Sequence, residues 1–298
     1  MMRDTIVLLF VGALLGAAPS GSPEPVKAPV MLPGGTMEGF QYTHQDPETR
    51  EKKWNLSMFE VSSRQGSPSV TGKKPVLRVF GTEELMVTAD EGRGDMRREM
   101  LVAKGNVHAV IGTRGTLDTG EMAWDGAAGK AEVPGDFVYR EGGTEIRGRG
   151  LVLQGREKLT VRELDRVISR QKTALGVLTG VEPPKAVPAG DAGETEGQPI
   201  EIRAKGPATY DRATGVIVLR DRVEAVQGGV ALNTDLMTVW LDADRKHVVR
   251  ALAEGHVVVV LRQEGKSGTG RLFTELIEVE PDTGAAVLKK GGKWVEQE

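Results

Sequence analysis

A chain of 298 residues is long enough to bury a substantial core, so size does not exclude an independent fold. Aromatic residues make up only 4% while glycine reaches 39 residues, a balance that disfavours thick helical packing and favours many short strands joined by tight turns. The formal net charge of −3, with acidic and basic residues interspersed, excludes the electrostatic footprint of a nucleic-acid binder, and the absence of cysteine excludes disulfides, thiolate metal sites and thiol nucleophiles together.

From the N-terminus, Arg3 precedes the apolar run TIVLLFVGALLGAA, which PSGSPEPVKAP then breaks. This is the tripartite layout of an export signal, and the run falls short of the roughly 20 apolar residues of a membrane span. Residues 1–24 are therefore expected to be a signal peptide cleaved near Ala18, or else a short N-terminal membrane anchor. In either case the rest of the chain is expected outside the cytoplasm.

A first β-rich region is expected over 36–172. KWNLSMFEV and PVLRVF read as strands, followed by VHAVI, MAWD, AEV, DFVYR, TEIRG and GLVLQG, each punctuated by Gly or Asp-Gly. Asp125-Gly126 is a strong hairpin signal. REKLTVRELDRVISRQ fits a strand nearly as well as a helix and is read as a strand with a frayed end. Residues 173–198, rich in Pro, Gly, Ala and acidic residues, read as a flexible linker, and 199–298 as a second β-rich region.

A weak internal repeat of about 30 to 36 residues emerges when three stretches are overlaid. They begin near AKGNVHAV, LRDRVEAV and AEGHVVVV. Each carries a turn, a Val-centred strand (Val107, Val223, Val257), a Gly-containing turn, a second strand and an acidic turn. Repeats of this length signal stacked units whose neighbours bury a continuous core.

No catalytic or metal-binding set stands out, and no cofactor is expected. His44, His108, His247 and His256 are scattered without ligand spacing. GKSGTG at 265–270 has Val260 where a phosphate loop needs its first glycine. Gly148 and Gly150 lack the third glycine of a dinucleotide fingerprint, with Leu153 in its place, and read instead as a bulge or bend. Glu83, Glu84, Asp90 and Glu91 sit among turn residues and read as solvated. What remains is apolar alternation: Val107, Ala109 and Ile111, then Leu117, Met122 with Trp124, Phe137 with Tyr139, Ile146, and Leu151 with Leu153. These residues are either an ordinary sandwich core or the lining of an open apolar groove, and alternation does not choose between the two.

The order GFQYTHQDPETREKKWNLSMFEV, GKKPVLRVF, MVTADEGRGDMRREMLVAKGNVHAV, GTLDTGEMAWDGAAGKAEVPGDFVY and TEIRGRGLVL resembles the LptC family of periplasmic lipopolysaccharide-transport proteins. GPATYDRATGVIVLRDRVEAV and LNTDLMTVWLD resemble the OstA/LptA-type repeat. The resemblance implies an all-β, elongated β-jellyroll of stacked antiparallel strands, as two such units joined by a linker: LptC-like over 36–172 and OstA/LptA-like over 199–298. It implies a periplasmic, non-enzymatic carrier that shields acyl chains in an apolar groove. Val107, Ala109, Ile111, Leu117, Met122, Trp124, Phe137, Ile146, Leu151 and Leu153 are its groove candidates. The implied partners are lipopolysaccharide or a related multi-acyl lipid, the inner-membrane lipopolysaccharide ABC transporter complex, and LptA-like jellyrolls joined by edge-strand pairing. The rival expectation is an exported β-repeat scaffold that binds protein or cell-wall partners without lipid.

Overall fold

The computed structural model describes residues 36–63, 68–113, 115–155, 157–169, 199–262, 269–280 and 285–297. The expected signal or anchor over 1–24 and the expected linker over 173–198 lie outside the described residues. Among the described residues there are eighteen strands, and no helix is long and apolar enough to cross a membrane.

In chain order the strands are β1 (Thr36–Gln45), β2 (Lys52–Ser63), β3 (Ser69–Val79), β4 (Leu85–Thr88), β5 (Glu91–Asp95), β6 (Met100–Ile111), β7 (Gly115–Asp125), β8 (Lys130–Glu141) and β9 (Thr144–Gln154). They continue as β10 (Lys158–Ser169), β11 (Ile200–Arg203), β12 (Ala208–Asp211), β13 (Val216–Gln227), β14 (Val230–Leu241), β15 (Val248–Arg262), β16 (Thr269–Glu280), β17 (Ala285–Lys290) and β18 (Lys293–Gln297). All pairings are antiparallel and follow chain order, so the sheet is one long meander. Three positions in the meander hold a split strand: β4 with β5, β11 with β12, and β17 with β18.

The long strands are bent near their middles. Register skips between Lys104 and Val107, Thr119 and Ala123, Val133 and Asp136, Arg220 and Val223, and Glu254 and Val257 mark a line of corners. Bulges bend and twist strands in this way. Alternate residues are buried on both sides of each corner, as in β6, where Leu101 and Ala103 precede the bend and Val107, Ala109 and Ile111 follow it. One face of a single sheet is buried twice over only when the sheet folds onto itself. The corners therefore divide the jellyroll into two facing limbs joined along a spine and meeting again at a mouth, where the hairpin turns lie.

The corner structure explains a difference from the sequence reading. AEV with DFVYR, and TEIRG with GLVLQG, each form one strand, β8 and β9, because Pro134-Gly135 is a corner within a strand rather than a turn between strands and the Gly148–Gly150 stretch is the bend its glycines suggest. The GNV turn is likewise internal: Gly105 and Asn106 sit at φ +73° and +43° inside β6. Asp125-Gly126 does begin a turn, joining β7 to β8, and REKLTVRELDRVISRQ supplies strand β10.

The repeat has a physical basis at these corners. Gly105-Asn106, Asp221-Arg222 and Gly255-His256 are consecutive pairs at positive φ. Each is followed by one of the three repeat valines, all buried. Val107, Val223 and Val257 are register partners of Thr119, Thr234 and Thr274. The threonine hydroxyls then donate to the corner of the next strand, at Asp136 O (2.8 Å), Glu254 O (2.7 Å) and Lys290 O (2.8 Å).

The sheet does not stop where the sequence suggested a boundary between units. β10 pairs with β9 along one edge and with β11 and β12 along the other, so the strands on either side of 173–198 are hydrogen-bonded neighbours. Outward-facing polar residues line the opposite surface of the limbs. His108, Asp118, Arg140, Glu145 and Arg147 form a chain of ion pairs across β6, β7, β8 and β9.

Candidate functional site

The mouth between the limbs is where the interior meets solvent. On its N-terminal side it holds a cavity of about 340 Å3, within the usual size of small-molecule sites at roughly 300–1,000 Å3. Its floor is apolar: Trp54, Val79, Phe80 and Leu85 come from the limb carrying β4, while Trp124, Ala131 and Leu153 come from the facing limb. Its rim is polar, with His44, Asp46, Lys53, Glu99 and Lys130.

The aromatic groups form a bridge across this end of the mouth. Trp54 and Trp124, one from each limb, meet edge to face with centroids 5.4 Å apart. His44 stacks on Trp54 at 5.4 Å and an interplanar angle of 11°, and Tyr42 lies 5.2 Å away on the same ring. The indole N–H of Trp54 donates to Glu99 Oε2 at 3.3 Å. Burial, with the Glu99 charge adding to it, raises the Tyr42 hydroxyl above its ordinary value. At the rim, the backbone N–H groups of Thr49 and Glu48, with Lys53, hold the Asp46 carboxyl down to about 2. Lys130 pairs with Glu132. An apolar floor under a rim of both charges suits an amphiphile whose tail enters and whose head stays in water. Among the described residues, no group of His, Asp and Glu side chains could hold a metal ion.

Comparison with known proteins gives little. No family model matches the chain, and no curated protein matches it. Six solved chains match. One is the crystal structure of LptH, the LptA homologous periplasmic component of the conserved lipopolysaccharide transport device from Pseudomonas aeruginosa. It is 15% identical, with a TM-score of 0.30, over 60% of this chain and 95% of that one.

Of the groove candidates, Trp124 and Leu153 line the mouth cavity. Val107, Ala109, Ile111, Leu117, Met122, Phe137, Ile146 and Leu151 are also buried on the inner faces of the limbs but do not line it. On the C-terminal side a second, wholly apolar void of about 20 Å3 lies among Ile200, Ile202, Leu232, Met237, Val239 and Ala253.

Between the two cavities lies a buried polar cluster that the sequence reading missed. Arg212, in the turn after β12, donates to Glu141 from Nη2 at 2.9 Å and from Nε at 3.3 Å, and to Glu83 Oε2 from Nη1 at 2.5 Å. Tyr139 and Tyr210 each donate to Glu141 Oε2 at 2.8 Å. Arg245 donates to the backbone carbonyls of Arg212 and Ala213. Burial pushes the Glu141 carboxyl up, but the hydrogen bonds and charge of Arg212, with those of the tyrosines, outweigh it and leave the group below its ordinary value. Burial, then the Glu141 charge, raises both tyrosine hydroxyls well above theirs. Glu83 is an exposed turn carboxylate, as read from sequence, and it also forms an ion pair with a side chain 129 positions away. Short-range pattern carries no signal for such a pair. The spacing of Tyr139 and Glu141 on β8, matched by Tyr210 on β12 and Arg212 in the turn that follows it, is the available hint.

Proposed function

We propose that this chain is a non-enzymatic lipid-transport protein of the cell envelope, which shields the acyl chains of lipopolysaccharide or a related multi-acyl lipid on their way from the inner-membrane transporter toward the outer membrane. The observation that carries the reading is the mouth cavity: an apolar floor between two limbs beneath a charged rim. The resemblance of the motif order to LptC-like and OstA/LptA-like sequences supports the same reading. So does the chemistry of the cargo, since each methylene kept from water is worth about 0.8 kcal/mol and a multi-acyl lipid crosses an aqueous space only under cover. The location is the periplasm. Among the described residues, β1 at one end and β17 with β18 at the other are the edge strands of the sheet, and these are the surfaces for LptA-like jellyrolls and the transporter complex, because a sheet edge accepts a further strand.

The test is native mass spectrometry with lipid extraction on protein purified from the envelope of a lipopolysaccharide-producing host. A multi-acyl lipid is expected in the wild type and is expected to be lost in Trp124→Arg and Leu153→Asp. A second reading, an exported β-scaffold that binds partners without lipid, is favoured by the close packing of Val107, Ala109, Ile111, Leu117 and Met122 in the interior. A lipid-free, folded wild type would select it.

A further inference from the structure

The Arg212 cluster sits across the interior rather than along it. Glu83 and Glu141 belong to the rim of one limb, and Arg212 to the rim of the other. The mouth cavity lies on the N-terminal side of this crossing and the small apolar void on its C-terminal side. The crossing is polar over more than its ion pair. Beside Glu141 stand Thr144 and Ser169, cross-strand partners whose hydroxyls are buried and, among the described residues, have no hydrogen-bond partner. Just beyond, Gly142 seats so closely on the 242–247 turn that a Cβ there would fall 2.5 Å from Arg245 O. An acyl chain crossing here would have to strip Glu141, Arg212 and the two tyrosine hydroxyls of their partners and leave them buried, which is the expensive way to bury polar atoms.

We propose that the Glu141–Arg212 pair, with the Tyr139 and Tyr210 hydroxyls, is a polar bar that closes the N-terminal acyl compartment and stops an acyl chain seated at the mouth cavity from extending into the C-terminal apolar interior. Glu141 and Arg212 are thus determinants of how long an acyl chain the N-terminal compartment takes. This rests on the carrier reading and adds a boundary to it.

The experiment uses the full chain with a photo-crosslinking amino acid placed at Leu153 on one side of the bar or at Met237 on the other, and alkyne-tagged palmitate as probe. Wild type is expected to capture the probe at Leu153 and only weakly at Met237. Glu141→Met combined with Arg212→Met replaces the pair by apolar groups of similar reach, the change that buried ion pairs tolerate best. It is expected to raise capture at Met237 about tenfold while capture at Leu153 persists. Arg212→Lys, which keeps the charge but loses the forked contact, is expected to give an intermediate rise and serves if the double variant does not fold. Equal capture at both positions in wild type, or capture at Met237 unmoved in the folded variants, overturns the bar and leaves the carrier standing. No capture at Leu153 in any protein overturns the carrier reading and the bar with it.

Discussion

At three corners of the spine a threonine hydroxyl supplies hydrogen bonding where the ladder bends and its register skips. Thr234 is buried and donates to Glu254 O at 2.7 Å, so Thr234→Val keeps the shape and removes the donor. The variant is expected to lose about 1–3 kcal/mol, read as a lower midpoint in urea unfolding, while the same change at an exposed threonine moves it little. Glu141 carries a pH dependence of definite sign. Its folded-state value lies below the ordinary one of about 4.3, so its contribution to stability is complete above that pH and is lost as pH falls through the lower folded value. Thermal unfolding followed from pH 7 to pH 3 is therefore expected to fall more steeply in wild type than in Glu141→Gln, which starts lower and lacks this titration.

At the scale of the strand, the corners explain both what the sequence showed and what it hid. Alternation exposed the inner faces correctly, because period two survives on each side of a bend: Val107, Ala109 and Ile111 are all buried, and His108 is exposed. The bends at Gly105-Asn106 and Pro134-Gly135 read as turns, because Gly-rich punctuation looks the same whether the chain reverses or merely folds over, whereas the Gly148 and Gly150 pair reads correctly as a bend. Gly148 shows what the corner demands. A Cβ there would lie 2.4 Å from Glu163 O, a backbone atom that cannot step aside, whereas at Gly135, also near a corner, a Cβ would meet nothing within 4 Å. Gly148→Ala is expected to cost about 1–3 kcal/mol and Gly135→Ala less than about 0.5 kcal/mol, compared by chemical denaturation. The mouth cluster stayed hidden for a different reason. Glu141 and Arg212 are 71 positions apart and meet only because two limbs close on each other, a geometry that no local periodicity encodes.

For the described residues as a whole, the limbs are joined continuously along the spine and linked at the mouth by groups that include the Trp54–Trp124 contact, the Trp54–Glu99 hydrogen bond and the Arg212 cluster. Arg212 and Glu141 side chains are 5% and 6% exposed, so removing Arg212 leaves Glu141 a buried carboxylate with the two tyrosine hydroxyls as its remaining hydrogen-bond donors in the cluster. Arg212→Ala is expected to cost about 3–5 kcal/mol, and replacing both partners by methionine distinctly less. A double-mutant cycle in denaturant measures the difference.

The meander has one further consequence, for the order in which the structure can form. Each strand's ladder partners are its neighbours in the chain or, at the three split strands, the strand one further on, so the sheet can lengthen as segments become available, without a strand waiting for a remote mate. The Arg212–Glu83 contact, by contrast, needs both ends of a 129-position separation to be in place. Closure of the mouth is therefore expected to follow the ladders it joins, because its contacts close the longer loops.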